Sequence, residues 1–278
     1  MATLGVNLAI EFGVSLSTFL LGFASNRYAL PFVQRRFNVL RELTRFDGRE
    51  GIDLCYGIIP PGTSGRSSVA EEGDLAAIYV IADVFKRLFT SEQVRIHNAR
   101  AVAGTLDSFP NIVSISGPKW NRVTERLIGE LGSSVIFDRN SRCMLQSRGG
   151  EIVAKYTTDR TQPFLARKCH GLILCGYIER SDGSTQKAMV CAGNSTLSMY
   201  GIATYLLNLS RTPGRKADAG LKQFTKMRKW GLVVEVANKV PQDRDGLVWL
   251  PLDPTTIHTS VVAQIPEGGF VRPFVYEY

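Results

Sequence analysis

The feature that most constrains this chain is its opening, which from Leu4 to Ser25 reads LGVNLAIEFGVSLSTFLLGFAS. The stretch is about 22 residues long, and a helix of roughly 20 crosses ~30 Å of hydrocarbon. No Lys or Arg precedes Leu4, as a signal peptide would require. The positive charges come afterwards, at Arg27, Arg35, Arg36, Arg41, Arg45 and Arg49. The positive-inside rule then puts the N-terminus outside and the rest of the chain in the cytoplasm, as a single-pass protein of the inner (cytoplasmic) membrane. A buried helix of a soluble domain is the competing reading.

Asn7 and Glu11 interrupt the apolar run. An acidic residue at the bilayer centre costs on the order of 2.5–3.5 kcal/mol, so polar residues in a span call for a partner. Asn7 and Glu11 share a face at i, i+4, with Gly5, Gly13 and Gly22 nearby, and this points to helix association and a homo-oligomer. Three segments follow: a transmembrane helix over 1–25, a basic juxtamembrane helix over 26–50, and an α/β domain over 51–278.

Hydrophobic residues at 44% and charged residues at 21% exclude a disordered chain and a wholly membrane-embedded one. The 33 basic residues outnumber the 25 acidic ones, which favours anionic partners. Within 51–278, short apolar runs alternate with helical stretches. Strands are expected at Gly51–Ile59, 94–97, 111–116, 135–138, 170–178, 187–192, 232–239, 260–265 and 274–278, with a hairpin over 142–156. Helices are expected from Asp74, as N-cap, to Leu88, with Leu75 and Tyr79 on the apolar side, and over 120–131, 195–209 and 216–230. Continuous apolar strands such as IVSIS and AMVCAG predict a Rossmann-like, doubly wound and mostly parallel sheet with antiparallel edge strands.

Two strand-to-helix turns carry the candidate ligand site. In IVSISGPKWNRVTERLI a strand ends at Ser116, Gly117 and Pro118 turn the chain, and a helix begins near Asn121. In AMVCAGNSTLSMYGIATYLL Gly193 turns and Asn194 or Ser195 caps the next helix. Both offer backbone N–H groups beyond a strand's carboxyl end, where doubly wound folds bind ligands and where anions are favoured. Lys119 and Arg122 add positive charge. A βα unit needs a small residue and a cap at this place in any case, so a purely structural role is the alternative.

Catalytic signals are sparse. There is no Walker loop, GxGxxG or GxSxG, and His97, His170 and His258 lack triad or zinc-ligand spacing. No metal or cofactor is expected. Glu71, Glu72 and Asp74 follow the turn-rich segment PPGTSGR and are the candidate carboxylates for attack on an anomeric carbon; the other reading is a helix N-terminus. Cys55, Cys143, Cys169, Cys175 and Cys191 show no CxxC spacing and read as free thiols of a reduced domain. The basic stretch Lys216–Lys229 lacks the aromatic interleaving of a single-strand binding surface, which argues against nucleic acid.

The turns ISGPKWNRVTERL and CAGNSTLSMYGIATYLL, behind one N-terminal hydrophobic helix, resemble a group of bacterial membrane-anchored proteins with a Rossmann-like domain. That group has a GGPKxNxxT-like and a later AGxxxxGT-like turn, and this chain departs from it at Ser116, where the group has glycine. The arrangement is also similar to SLOG-type nucleotide-sensing domains of bacterial defence and stress systems. That likeness implies a pocket formed by Gly117, Lys119, Asn121, Thr124, Gly193, Asn194, Ser195 and Thr196. The expected function is a membrane-anchored sensor binding a nucleotide-like anion. The alternatives are an N-glycosidase acting on a nucleoside or nucleotide, and a protein-binding adaptor.

Overall fold

The computed structural model describes residues 38–57, 67–89, 93–119, 121–137, 144–147, 152–155, 157–158, 166–193, 195–212, 219–238, 257–266 and 276–277. The expected membrane helix, with Asn7 and Glu11, lies outside the described residues. Among the described residues no helix is long and apolar enough to cross a membrane.

The first element, α1 (Val39–Thr44), is capped by Asn38, whose side chain accepts from the Leu40 N–H at 2.9 Å. Val39, Leu40, Leu43 and Phe46 are buried in the main core. Trp230 Nε1 donates to the Leu43 carbonyl at 3.1 Å, and Asn38 Nδ2 donates to that of Ser210 at 2.5 Å. From Asn38 onward, the segment expected to be a membrane-surface helix is therefore a wall of the domain, whose core begins upstream of residue 51. The spacing 39, 43, 46 is that of an apolar helical face, and here it faces protein.

Four strands form the central parallel run: β1 (Ile52–Tyr56), β2 (Val94–Asn98), β3 (Asn111–Ile115) and, later in the chain, β9 (Thr185–Gly193), in the order β2-β1-β3-β9. β3 is buried at every residue and β1 at all but Tyr56, because helices cover both faces. Beyond β9 the sheet continues antiparallel through β8 (Ala166–Glu179), β10 (Lys229–Asn238), β11 (Ile257–Pro266) and β12 (Tyr276–Glu277), with β7 (Thr157–Thr158) also on β8. This antiparallel block is larger than a pair of edge strands. β4 (Val135–Phe137), β5 (Met144–Ser147) and β6 (Ile152–Lys155) make a separate antiparallel sheet, so the expected 142–156 hairpin is present. The architecture is a mixed α/β sheet with mostly parallel central strands.

On one face, α2 (Ser67–Leu88) and α5 (Thr196–Arg211) pack Ile81, Phe85, Ile202 and Leu206 against Leu54, Ile115 and Cys191. On the other, α3 (Ala99–Val102) and α4 (Arg122–Glu130) pack Val102, Val123 and Leu127 against Cys55, Ile112 and Val190.

Two helix expectations are corrected. α2 begins at Ser67, so Asp74 is interior rather than its N-cap, and Leu75 and Tyr79 are 43% and 69% exposed on its outer flank. Of the expected 216–230 helix, the described residues form α6 (Ala219–Phe224), and Lys229 and Trp230 open β10 instead. Trp230, Leu232, Val234 and Val236 all enter the main core, and that period of 2 is a strand's.

Candidate functional site

The carboxyl ends of β1, β3 and β9 meet at one edge of the sheet. The Gly57 N–H donates to the Ile115 carbonyl at 3.3 Å and the Ser116 N–H to that of Cys191 at 3.1 Å. The chain leaves β1 and β9 for helices on one face and β3 for α4 on the other. That divergence is a topological switch point, the place at which open α/β sheets hold ligands.

The β3-to-α4 turn is fastened by a buried polar network. Asn121 Oδ1 caps α4 by accepting from the N–H groups of Val123 and Thr124 at 3.0 and 3.3 Å. Its Nδ2 donates to Ser114 Oγ at 3.0 Å and to the carbonyls of Ile115 at 2.9 Å and Cys55 at 3.4 Å. Thr124 Oγ1 donates to the Ser116 carbonyl at 2.9 Å and lies 2.8 Å from Ser114 Oγ. Asn121 and Thr124 were expected to line the pocket. Both are fully buried and committed to these bonds, so they fix the turn and leave the lining to other groups.

Ser116 itself is the unusual residue. Its φ is +97°, outside the narrow left-handed basin at roughly +50 to +70° that non-glycine residues occasionally occupy. The other non-glycine residue with positive φ among those described, Arg45 at +51°, closes α1 as an ordinary C-cap. Ser116 is fully buried, and its Oγ has no hydrogen-bond partner. The only sequence signal was the departure from glycine at this position.

At the β9-to-α5 turn, Ser195 and Ser198 form a capping box: Ser195 Oγ accepts from the Ser198 N–H at 3.1 Å, and Ser198 Oγ from the Ser195 N–H at 2.9 Å. The two turns touch, since a Cβ on Gly117 would stand 2.7 Å from the Gly193 carbonyl oxygen. Gly193 in turn has no room for a side chain, because its Cβ would meet Ser198 Oγ at 2.3 Å. Gly117, Gly193 and Ser195 are thus brought together, with Lys119 exposed beside them. Asn194 and the side chain of Thr196 lie outside the described residues. Arg122, exposed at the first residue of α4, adds a cation to the positive end of the helix dipole, where an anion is the favourable neighbour.

Other reactive groups lie on the strands, and those at the start of β8 adjoin the β9-to-α5 turn, since Gly171 pairs with Gly193 and the Cys169 thiol bonds with Ser195 and Ser198. Asp53, 1% exposed near the start of β1, holds Arg95 at 2.7 Å and His97 Nε2 at 2.8 Å. His170 Nε2 lies 3.4 Å from Glu235. Burial pushes the thiols of Cys55, Cys169 and Cys175 up to about 12, and burial with the nearby Cys175 raises Cys191 further. These four thiols are free and buried, and burial favours their protonated form. Cys143 lies outside the described residues, as do the PPGTSGR segment up to Arg66 and the side chains of Glu71, Glu72 and Asp74. A groove of about 490 Å³ lies at the other end of β9, beside Glu130, Tyr177, Arg180 and Arg228. There Arg180 Nη1 bridges Glu130 and Asp107, each at 2.9 Å. Among the described residues no group of three His, Cys, Asp or Glu side chains is placed to hold a metal.

Comparison with family models, curated proteins and solved structures gives no match for the chain.

Proposed function

We propose that this protein is a membrane-anchored sensor whose Rossmann-like domain binds a nucleotide-like anionic ligand in the crevice between the turns at 116–119 and 193–195. The observation that carries the reading is the contact of Gly117 with Gly193 at the carboxyl ends of adjacent parallel strands whose following helices leave to opposite faces. The positive end of α4, with Lys119 and Arg122 exposed around it, supports an anionic ligand. The membrane anchor is supported by the length and flanking charge of residues 4–25. A setting in bacterial defence or stress signalling is supported by the likeness of the two turns to SLOG-type domains.

The test is thermal unfolding of the full-length chain in detergent with ATP, GTP, NAD, ADP-ribose and cyclic dinucleotides in turn. A ligand at 100 times its Kd stabilises the folded state by about 2.7 kcal/mol. The reading expects at least one of these to raise Tm in proportion to the logarithm of its concentration. A flat response to all of them contradicts it.

A further inference from the structure

We propose that Ser116 is the ligand-contacting residue of the crevice, its hydroxyl donating to a phosphate oxygen of the bound anion. The inference rests on the reading of the crevice as an anion site and names the group that recognises the anion.

Two independent observations meet at this residue: a φ of +97° and a buried hydroxyl without a partner. Backbone clamps hold the φ, but nothing in the fold accounts for the unpartnered hydroxyl. Glycine would take this φ without steric cost, and alanine would bury no unsatisfied oxygen. Serine is unfavourable on both counts in the unliganded chain. A conformation of this kind persists only where its surroundings over-determine it, and it is characteristic of ligand clamps. The surroundings here do so, because the Ser116 N–H is held by the Cys191 carbonyl at 3.1 Å and its carbonyl by Thr124 Oγ1 at 2.9 Å. One bond fastens the residue to β9 and the other to α4. The residue's backbone is therefore fixed between the two elements whose turns meet here.

A hydroxyl donating to a phosphate oxygen makes a charge-assisted bond, about twice as strong as a neutral one. Ser116 Oγ is sealed from solvent in this conformation, so the phosphate reaches it only when the turn opens. Binding is thereby coupled to a movement of the 116–119 turn, which is the differential contact between two states that a sensor needs.

The test compares the full-length wild type in detergent with Ser116→Ala and Ser116→Gly. Thermal unfolding is recorded without ligand, and binding of ATP and of inorganic phosphate is measured by calorimetric titration. Without ligand, Ser116→Gly is expected to raise Tm by about 2–4 °C and Ser116→Ala not to lower it. Both variants are expected to lose at least tenfold in affinity for the probe that the wild type binds. A wild type that binds ATP but not phosphate identifies a nucleotide; one that binds both equally identifies free phosphate, and either result supports the contact. If the wild type binds a probe and both variants stay within threefold of it, the Ser116 contact is overturned while the crevice reading stands. If the wild type binds neither probe, the phosphate contact is overturned, and the anion site falls with it only if the nucleotide panel is also flat. A lower Tm for unliganded Ser116→Gly overturns the strain argument whatever the titrations give.

Discussion

The two strand-to-helix turns at the crevice have the same parts in sequence, a small residue and a polar cap, yet they are held in different ways. The β9-to-α5 turn closes mainly on itself, with Ser195 and Ser198 satisfying each other across a capping box beside the Cys169 thiol of β8. The β3-to-α4 turn is closed from outside it. Asn121 ties together the ends of β1 and β3 and the start of α4, Thr124 clamps the Ser116 carbonyl, and the central residue is left strained with an unused hydroxyl. A local cap makes a helix start. A long-range network can hold a residue in a conformation it would not choose.

The comparison breaks first at Asn121. Asn121→Ala strands two capped N–H groups and removes a buried donor to three acceptors, so it should cost about 3–4 kcal/mol in urea unfolding. Ser195→Ala should cost about 1 kcal/mol. Equal losses would mean that the two turns do not differ as described. Next in size is Gly117→Ala, whose Cβ would press on the Gly193 carbonyl at 2.7 Å. Overpacking of this kind costs typically 1–3 kcal/mol, and a wild-type Cm would show that the turns do not touch. Thr124→Val keeps the shape and removes the clamp on Ser116, for an expected loss of about 1–2 kcal/mol.

The smallest effect at neutral pH comes from the thiols. Cys55, Cys169 and Cys175 have folded values of about 12 against an ordinary 9.0. The folded state therefore binds more protons than the unfolded one between those values. Their contribution is fully present below pH 9 and is lost as pH rises toward 12. Urea midpoints should be level from pH 7 to 8.5 and fall steeply above 9. In the native protein these thiols should also resist alkylation. Rapid native labelling of any of the three, mapped by mass spectrometry, would contradict the burial.

Much of the architecture was legible because it rests on local patterns. The parallel strands read as mostly apolar runs, IVSIS and AMVCAG, since both of their faces are covered. The start of α4 near Asn121 and a cap at Asn194 or Ser195 could be read from their position before an apolar helix, and the structure makes Asn121 and Ser195 the caps. What the pattern could not show was which polar groups remain free after folding. Asn121 and Thr124 look like ligand groups in sequence, and they become structural only through partners on β1 and β3. The ion pairs of Asp53 with Arg95 and His97 join residues more than 40 positions apart and leave no local trace. Leu43 in the core and Trp230 at the head of β10 were misplaced for the same reason: each is fixed by the other, through the Trp230 bond to the Leu43 carbonyl. The positive φ at Ser116 follows from clamps on both sides of the residue, and the departure from glycine there was its only trace in sequence.

The claim that a ligand occupies the crevice is tested most directly by amide chemical-shift mapping of the isotope-labelled full-length chain titrated with ATP. The account predicts saturable shifts at Gly57, Ser116, Gly117, Lys119, Gly193 and Ser195, at the carboxyl ends of β1, β3 and β9. Shifts confined to Glu130, Tyr177, Arg180 and Arg228, around the groove at the opposite end of β9, would contradict it.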